Sequence, residues 1–277
     1  MRAKFTNYLA LGVLWLASIT ASITLFSLIG YIFWNGLPAI DLDFILTPPR
    51  GIEMKGGIFP TIVASLYVTL LAVLIATPVG VGGAIYLTEY AREGKVTRFI
   101  RFMGDSLASV PSIVFGLFGI SLFVYILGLG WCILSGALTL AFMILPVIIR
   151  TSEEAIKAVP DSYREGSFGL GATKWQTIKN VILPTASPGI LTGVILGMGR
   201  AFGETAAVMY TAGMALNIPK SPLDTGRTMT LHLYLLITQG GSLKSAFGTA
   251  FLLLAIVLMA NLTTTGLMRR FRARYIA

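Results

Sequence analysis

Long stretches without charge constrain this chain more than any other feature of its sequence. No Asp, Glu, Lys, Arg or His occurs in residues 5–40, 56–88, 106–149 or 245–268. Each stretch is at least as long as the roughly 20 residues with which an α-helix crosses the hydrocarbon core of a bilayer. Only 12% of the residues are charged and the mean hydropathy is +0.81, which excludes a soluble enzyme fold. The sequence therefore predicts an all-α, polytopic membrane protein.

Six membrane-spanning helices are predicted in one transmembrane domain that covers residues 1–277. The stretch 106–149 is long enough for two helices, and Gly128-Leu129-Gly130 suits a tight connection between them. A polar segment, 151–184, separates the fourth span from the fifth. The predicted spans are 8–34, 60–88, 106–128, 131–150, 186–213 and 247–268. After the fifth span, the apolar patch 231–237 is too short to cross and predicts an interfacial or re-entrant helix.

The positions of Lys and Arg predict the orientation. Of the 21 basic residues, Arg200 lies inside a span, five lie in outer segments if the N-terminus is inside, and the remaining 15 lie in inner segments. Because cytoplasmic segments of membrane proteins are rich in Lys and Arg, both termini are predicted to be cytoplasmic. We expect the basic tail, 269–274, to anchor on anionic membrane lipid rather than to contact nucleic acid.

The cytoplasmic segment 151–184 predicts short helices with breaks between them. Thr151 and Glu154 have the spacing of a capping box, Pro160 is expected to end that helix, and Asp161 to begin another. Gly171 predicts a left-handed or flexible stop. After it, large apolar residues recur at helical spacing and predict an amphipathic helix: Trp175, Ile178, Val181 and Ile182.

Part of this segment resembles the EAA loop of ABC-importer permeases, which runs E-A-A-x-x-x-G, nine residues, then I-x-L-P. The spacing matches throughout, with Gly166 and Ser167 in place of alanines and Val181 in place of isoleucine. The residues that carry the resemblance are Glu165, Gly166, Ser167, Gly171, Val181, Leu183 and Pro184. It implies a MetI-like type I importer architecture and a coupling helix that docks in a groove of a separate ATPase subunit. Phe168 and Trp175 are candidate docking anchors by composition.

ATP hydrolysis is not expected in this chain. It contains no G-x-x-x-x-G-K-[ST] phosphate-binding loop, so ATP and Mg are expected to bind to the partner ATPase. We expect no cofactor, metal or catalytic residue here. Cys132 and His232 are interpreted as packed residues, because no ligand partners stand at helical spacing from them.

Two opposite charges lie inside the fifth predicted span. Arg200 is about 21 Å along the helix from Ala186, near the bilayer centre, and Glu204 follows one turn later. At i and i+4 the two side chains are expected to share a helical face. A charge at this depth must be paired or hydrated, so that face should point into the bundle or a wet cavity.

Two interpretations of this pair remain open. It is either an ion pair that locks the helix to its neighbour, or part of an anion path. In the second, Arg200 donates to an oxyanion and Thr205 or Thr211 adds a hydroxyl. Glu204 would then orient Arg200 in the empty state, or accept the proton of a hydrogen phosphate, which sulfate lacks.

The sequence G-R-A-F-G-E-T-A from Gly199 resembles the G-R-A-x-G-E-T-A signature of phosphate-importer permeases, and Leu231-His-Leu-Tyr234 is also similar to that group. The similarity covers most of the chain and is greatest to the PstA group. It implies a permease in a prokaryotic inner membrane that imports phosphate by alternating access. The implied partners are a sister permease, a dimer of ATPase subunits and an extracytoplasmic phosphate-binding protein.

Three alternatives remain at this point. The first is a permease for another oxyanion, such as sulfate, molybdate or tungstate. The second is an intramembrane enzyme using Glu204 as an acid or base, although no Ser/Lys, Asp/Asp or H-E-x-x-H arrangement accompanies it. The third is a passive channel that works without ATP.

Overall fold

The first half of the chain supplies two membrane helices and a small outer cap. The structure is a computed structural model that describes the backbone of residues 2–50 and 55–275, with side chains over 10–49 and 56–263. The elements are α1 (Arg2–Gly36), a 3-10 turn (Leu37–Ala39), α2 (Leu42–Leu46), the antiparallel strands β1 (Pro49–Arg50) and β2 (Lys55–Gly56), and α3 (Phe59–Ile85), which continues as a π turn (Tyr86–Tyr90). The predicted lipid anchor 269–274 lies outside the described side chains.

The third predicted span is broken. Helix α4 (Lys95–Ala108) ends before Pro111, and α5 (Ser112–Gly119) continues as a π segment (Ile120–Ile126) at 101° to α4. The prediction of one helix over 106–128 is therefore wrong at its start. Pro111 has no N–H to donate and restricts the residue before it, so the helix stops and restarts in a new direction.

The fourth span is longer than predicted. Helix α6 (Ile133–Lys157) runs on past residue 150, so the capping box predicted at Thr151 is wrong. The Thr151 hydroxyl instead donates to the Val147 carbonyl inside the helix, at 2.8 Å. The sequence between Val147 and Lys157 contains neither Pro nor Gly, and nothing in the local chemistry ends the helix at the membrane surface.

The second half of the chain contains the coupling segment and an interrupted fifth span. Its elements are α7 (Asp161–Gly169), α8 (Lys174–Thr177), a π segment (Ile178–Ile182), α9 (Leu183–Phe202), α10 (Ala206–Met209), α11 (Met229–Thr238) and α12 (Leu243–Tyr275). The helix predicted over 186–213 ends at Phe202, which corrects the prediction. Helix α11 covers the apolar patch and is too short to cross, as predicted.

In the described residues, five helices are long and apolar enough to span a membrane, and the bent pair α4–α5 raises the number to six. This agrees with the predicted six-span, all-α architecture. The core lies around α6, which packs against α3 and α9. Small residues let the helices approach closely, as is usual in membrane bundles.

The α6–α9 contact is the closest of these. A Cβ atom built at Gly193 would lie 1.7 Å from the Thr151 hydroxyl oxygen and 2.8 Å from its Cβ. At Gly189, the same construction meets the Ala155 Cβ at 2.5 Å. Glycine is therefore required on this face of α9, because any side chain would push the two helices apart.

We predict that Gly193→Ala destabilises the purified chain in detergent by about 1–3 kcal/mol, the usual cost of overpacking. The measurement is the thermal unfolding midpoint. Gly82→Ala is the matched control, since a Cβ there has no atom within 4 Å. Equal midpoints for the two variants would contradict the close α6–α9 packing.

Candidate translocation site and coupling segment

Arg200 lies in the last turn of α9, near the middle of the bundle. One turn earlier, Gly197 faces α6, where an added Cβ would be 3.4 Å from Ile148 and 3.5 Å from Ile144. Ile144 is about 17 Å along α6 from its outer end at Ile133, at 1.5 Å per residue. Arg200 therefore lies beside the middle of α6 rather than beside one of its ends.

Within the described side chains, Arg200 makes no hydrogen bond and no ion pair, and it is half-buried. Other arginines of the chain differ: Arg101 and Arg164 each contact a buried carboxylate. A cation at membrane depth without a protein partner must face water or an anion. Its position is suitable for an anion path.

Glu204 does not pair with Arg200. Because α9 ends at Phe202, the two residues do not share a helical face, and the i, i+4 prediction is wrong. Glu204 Oε1 instead accepts from the backbone N–H groups of Thr205, Ala206 and Ala207, at 3.1, 3.1 and 3.4 Å. The carboxylate thus satisfies the donors that the break in the helix leaves open.

The turn after α9 is held from the outside by α11. The Thr230 hydroxyl donates to the Glu204 carbonyl at 2.6 Å, and the Met229 N–H donates to Ser65 Oγ on α3 at 2.7 Å. Thr205, the third predicted path residue, is half-buried, and its hydroxyl has no hydrogen-bond partner in the described part of the chain. The guanidinium of Arg200 and the hydroxyl of Thr205 therefore have donors available, whereas Glu204 Oε1 accepts hydrogen bonds from the backbone.

The coupling segment forms a short helical knob at the cytoplasmic end. Glu165, Gly166 and Ser167 lie in α7, and Gly171 ends it with a φ of +81°, as predicted. Helix α8 begins with a capping box that the sequence reasoning missed, between Thr173 and Gln176, although its T-x-x-Q spacing is visible in the sequence.

The two helices of the EAA-like segment are joined by a hydrogen bond. The hydroxyls of Ser167 and Thr177 are 2.9 Å apart, which joins α7 to α8. Leu183 packs on the buried apolar cluster at the cytoplasmic ends of α3, α6 and α9, while Val181 is half-buried and Pro184 is exposed. Among the exposed side chains of the knob, four are large and hydrophobic: Tyr163 and Phe168 in α7, Leu170 directly after it, and Trp175 in α8.

A single guanidinium ties the knob to two spans. Arg164 of α7 lies 3.0 Å from Glu89 Oε1 at the end of α3, and both side chains are largely buried. It also donates to the carbonyls of Ile156, in the last turn of α6, and Val159, just after that helix, at 3.0 and 2.7 Å. We call this group the Arg164 clasp.

A second contact supports the clasp. Lys174 at the start of α8 donates to the Glu89 carbonyl, and its ammonium lies 4.9 Å from the centre of the Tyr90 ring. Sequence reasoning missed Glu89 and Arg164, because the two are 75 residues apart and no local pattern pairs them.

His232 and Cys132 are packed residues, as predicted. His232 is fully buried, and burial together with the positive charge of Arg227 lowers the pKa of its imidazole to about 4, so the ring is neutral at pH 7. Cys132 is buried at the start of α6, where its sulfur accepts from the Ser135 N–H. The described residues contain no group of three His, Cys, Asp or Glu that could hold a metal ion.

Residues 76–277 match the protein family described as binding-protein-dependent transport system inner membrane component. The probable ABC transporter permease protein YqgI of Bacillus subtilis (strain 168) is 40% identical over 253 residues, which are 87% of this chain and 86% of the relative. The chain belongs to this family.

Two further similarities bear on the permease. The phosphate transport system permease protein PstA of Mycobacterium leprae (strain TN) is 33% identical over 281 residues, covering 99% of this chain and 91% of the relative. A solved structure of the inward-facing MetNI methionine ABC transporter has a similar fold, with a TM-score of 0.61 and 21% identity over 78% of this chain and 94% of that chain. The MetI-like fold is thereby confirmed.

The permease is accordingly a multi-pass subunit of a bacterial inner-membrane ABC importer, a class of transporter that works with an ATPase and a substrate-binding protein. The exposed apolar side chains of α7 and α8 lie on the segment that resembles the coupling helix. The Arg164 clasp lies directly behind them, between this segment and the spans.

We predict that Arg164→Ala loosens α7, because it leaves the buried Glu89 carboxylate and two helix-end carbonyls without their donor. Amide hydrogen exchange in 161–171 is expected to accelerate by at least about tenfold. Arg150→Ala is the control, since its ion pair with Glu154 is exposed and contributes little. If both variants exchange like the parent, the clasp does not hold α7.

Proposed function

We propose that this permease is the PstA-type subunit of an ATP-driven importer of inorganic phosphate. The observation that carries the proposal is the similarity to a PstA phosphate permease over 99% of the chain. Its proposed partners are a PstC-like sister permease, a dimer of PstB-like ATPase subunits and a PstS-like phosphate-binding protein. The alternative is a permease for another oxyanion, namely sulfate, molybdate or tungstate.

Arg200 is the proposed contact for the anion. A guanidinium presents parallel N–H donors that fit two oxygens of a tetrahedral oxyanion. The three N–H bonds to Glu204 Oε1 support this role, because they hold the carboxylate on its own turn and the two side chains form no ion pair. The free hydroxyl of Thr205, directly after the turn, is proposed to add a donor.

The coupling segment is proposed to pass motion from the ATPase to the path. ATP and Mg bind to the partner ATPase in this scheme, and closure of its subunits moves α7. Since Arg164 joins α7 to the ends of α3 and α6, that motion reaches two spans directly. Alternating access then carries phosphate inward, and no covalent bond of phosphate is made or broken.

Uptake of labelled phosphate at low concentration tests the substrate. Cells that lack this gene are expected to lose ATP-dependent uptake, and re-expression is expected to restore it without inhibition by excess sulfate or molybdate. Redundant phosphate transporters are deleted first. If phosphate uptake is then unchanged and the uptake of another oxyanion is lost, that oxyanion is the substrate. Equal uptake in cells depleted of ATP would instead indicate a channel.

We predict that Arg200→Gln lowers phosphate uptake by roughly 10- to 100-fold, the range expected when a charge-assisted contact is lost. Arg200→Lys is expected to retain part of the uptake, because the charge remains while the paired donors are lost. Arg150→Gln, an exposed arginine at the cytoplasmic end of α6, is the control. Normal phosphate uptake by the Arg200→Gln variant would show that Arg200 does not contact the anion during transport.

Glu204 is predicted to act as a structural cap. Glu204→Gln keeps an acceptor oxygen for the N–H groups of α10, so uptake is expected to stay within about threefold of the parent, whereas Glu204→Ala leaves those donors unpaired and lowers it further. Competition by sulfate is measured in both variants. Sulfate uptake gained in Glu204→Gln would favour the other hypothesis, in which the carboxylate accepts the proton of hydrogen phosphate.

A further inference from the structure

Helix α4 runs along the cytoplasmic surface. It connects the inner end of α3, at Tyr90, to the inner end of α5, at Ser112, and its axis is at 101° to that span. Both of its ends therefore lie at the same membrane face, and the part of the bent pair that crosses the membrane is Ser112–Ile126. A helix of 14 residues is about 21 Å long, so it covers a substantial strip of that face.

Three different stripes follow the length of α4. The stripe that packs on the protein has spacing i, i+4, i+7 and i+11 and contains Thr97, Arg101, Gly104 and Ala108, all buried or half-buried. One residue earlier, at the same spacing, a second stripe is entirely apolar and exposed: Val96, Ile100, Met103 and Leu107. Successive residues are about 100° apart on a helix, so the apolar stripe faces sideways from the packed one.

The rotation of α4 is fixed by a buried ion pair. Arg101 Nε lies 2.6 Å from Glu153 Oε1 on α6, and the Glu153 side chain is only 2% exposed. Lys157 contacts the same oxygen at 2.7 Å. Because removing either partner would strand a buried charge, the helix cannot easily turn to hide its apolar stripe against the protein.

The remaining surface of α4 is basic at its N-terminal end. Arg92, just before the helix, and Lys95 and Arg98 within it are exposed and make no ion pair in the described part of the chain. Asp105 is the one acidic residue of α4 and lies near the other end. Glu93, between Arg92 and Lys95, is also exposed and lies 3.9 Å from Arg101, which leaves three basic residues against one carboxylate at this end. Exposed Phe99 borders the basic residues and the apolar stripe.

We propose that α4 is an interfacial helix that inserts its apolar stripe, Val96, Ile100, Met103 and Leu107, into the cytoplasmic leaflet and binds anionic lipid headgroups through Arg92, Lys95 and Arg98. An amphipathic helix with an apolar face and flanking Lys and Arg is the typical solution for lying in a membrane interface. Each basic residue close to an anionic surface adds attraction. The lipid fits better than a protein partner, because the stripe lies between a buried face and a basic face, at the depth where both span ends meet the headgroups.

The proposal is tested in the assembled transporter in lipid nanodiscs, with Cys132→Ser as background. Spin labels at Met103→Cys and, as a second site, Val96→Cys are compared with one at Asp105→Cys on the polar face. Accessibility to oxygen, which concentrates in lipid, and to a water-soluble nickel chelate is measured for each. At 96 and 103, oxygen is expected to exceed the chelate by about threefold or more, with the order reversed at 105.

The binding of anionic lipid headgroups is tested with the same spin labels in two lipid compositions. Adding phosphatidylglycerol to phosphatidylcholine is expected to move the label at 103 deeper, and Lys95→Gln with Arg98→Gln is expected to abolish that shift. Chelate accessibility at 103 equal to that at 105 would place α4 in water and overturn the proposal. Labels at 96 and 103 that reach neither reagent would show that a protein subunit covers the stripe. If the depth of the label at 103 does not change when phosphatidylglycerol is added, α4 does not bind anionic headgroups.

Discussion

Inside a bilayer, an unpaired backbone N–H or C=O costs several kcal/mol, because no water replaces the lost partner. This constraint decides how the helices of the permease can stop. Helix α9 ends at Phe202 in the interior of the bundle, and the N–H groups after the break are taken by the Glu204 carboxylate. The Glu204 carbonyl is taken by the Thr230 hydroxyl. An irregular turn at this depth is possible only because polar side chains complete its hydrogen bonds.

The arginines of the bundle differ in whether a carboxylate pairs with them. Arg101 and Arg164 each meet a carboxylate that is largely removed from water, so their charges hold helices together at the cytoplasmic side. Arg200 has no such partner among the described side chains, although it lies deeper. Glu204, the carboxylate nearest to it in sequence, is committed to the backbone. Arginines in buried ion pairs and the arginine without such a pair thus lie at different positions in one bundle.

Local patterns predicted much of this arrangement and failed at some of the helix ends. Hydropathy located the spans, and Gly171 ended α7 as its freedom at positive φ suggests. The capping box expected at Thr151 did not form, because α6 continues to Lys157 and the Thr151 hydroxyl bonds to its own helix. A true capping box lies at Thr173 and Gln176. Spacing alone does not distinguish the two, since both have a polar residue three positions after Thr.

The sequence by itself determined the membrane class and the family motifs, and it predicts the orientation, because hydropathy, charge bias and residue spacing are properties of contiguous residues. Only the tertiary structure decided that α9 stops before Glu204, that Glu204 caps a turn instead of pairing with Arg200, and that Arg164 bonds to Glu89. The Thr230 bond that holds this turn and the Arg164–Glu89 pair join groups 26 and 75 residues apart in the chain. Their energies arise only when packing removes both partners from water, and no local pattern contains that information.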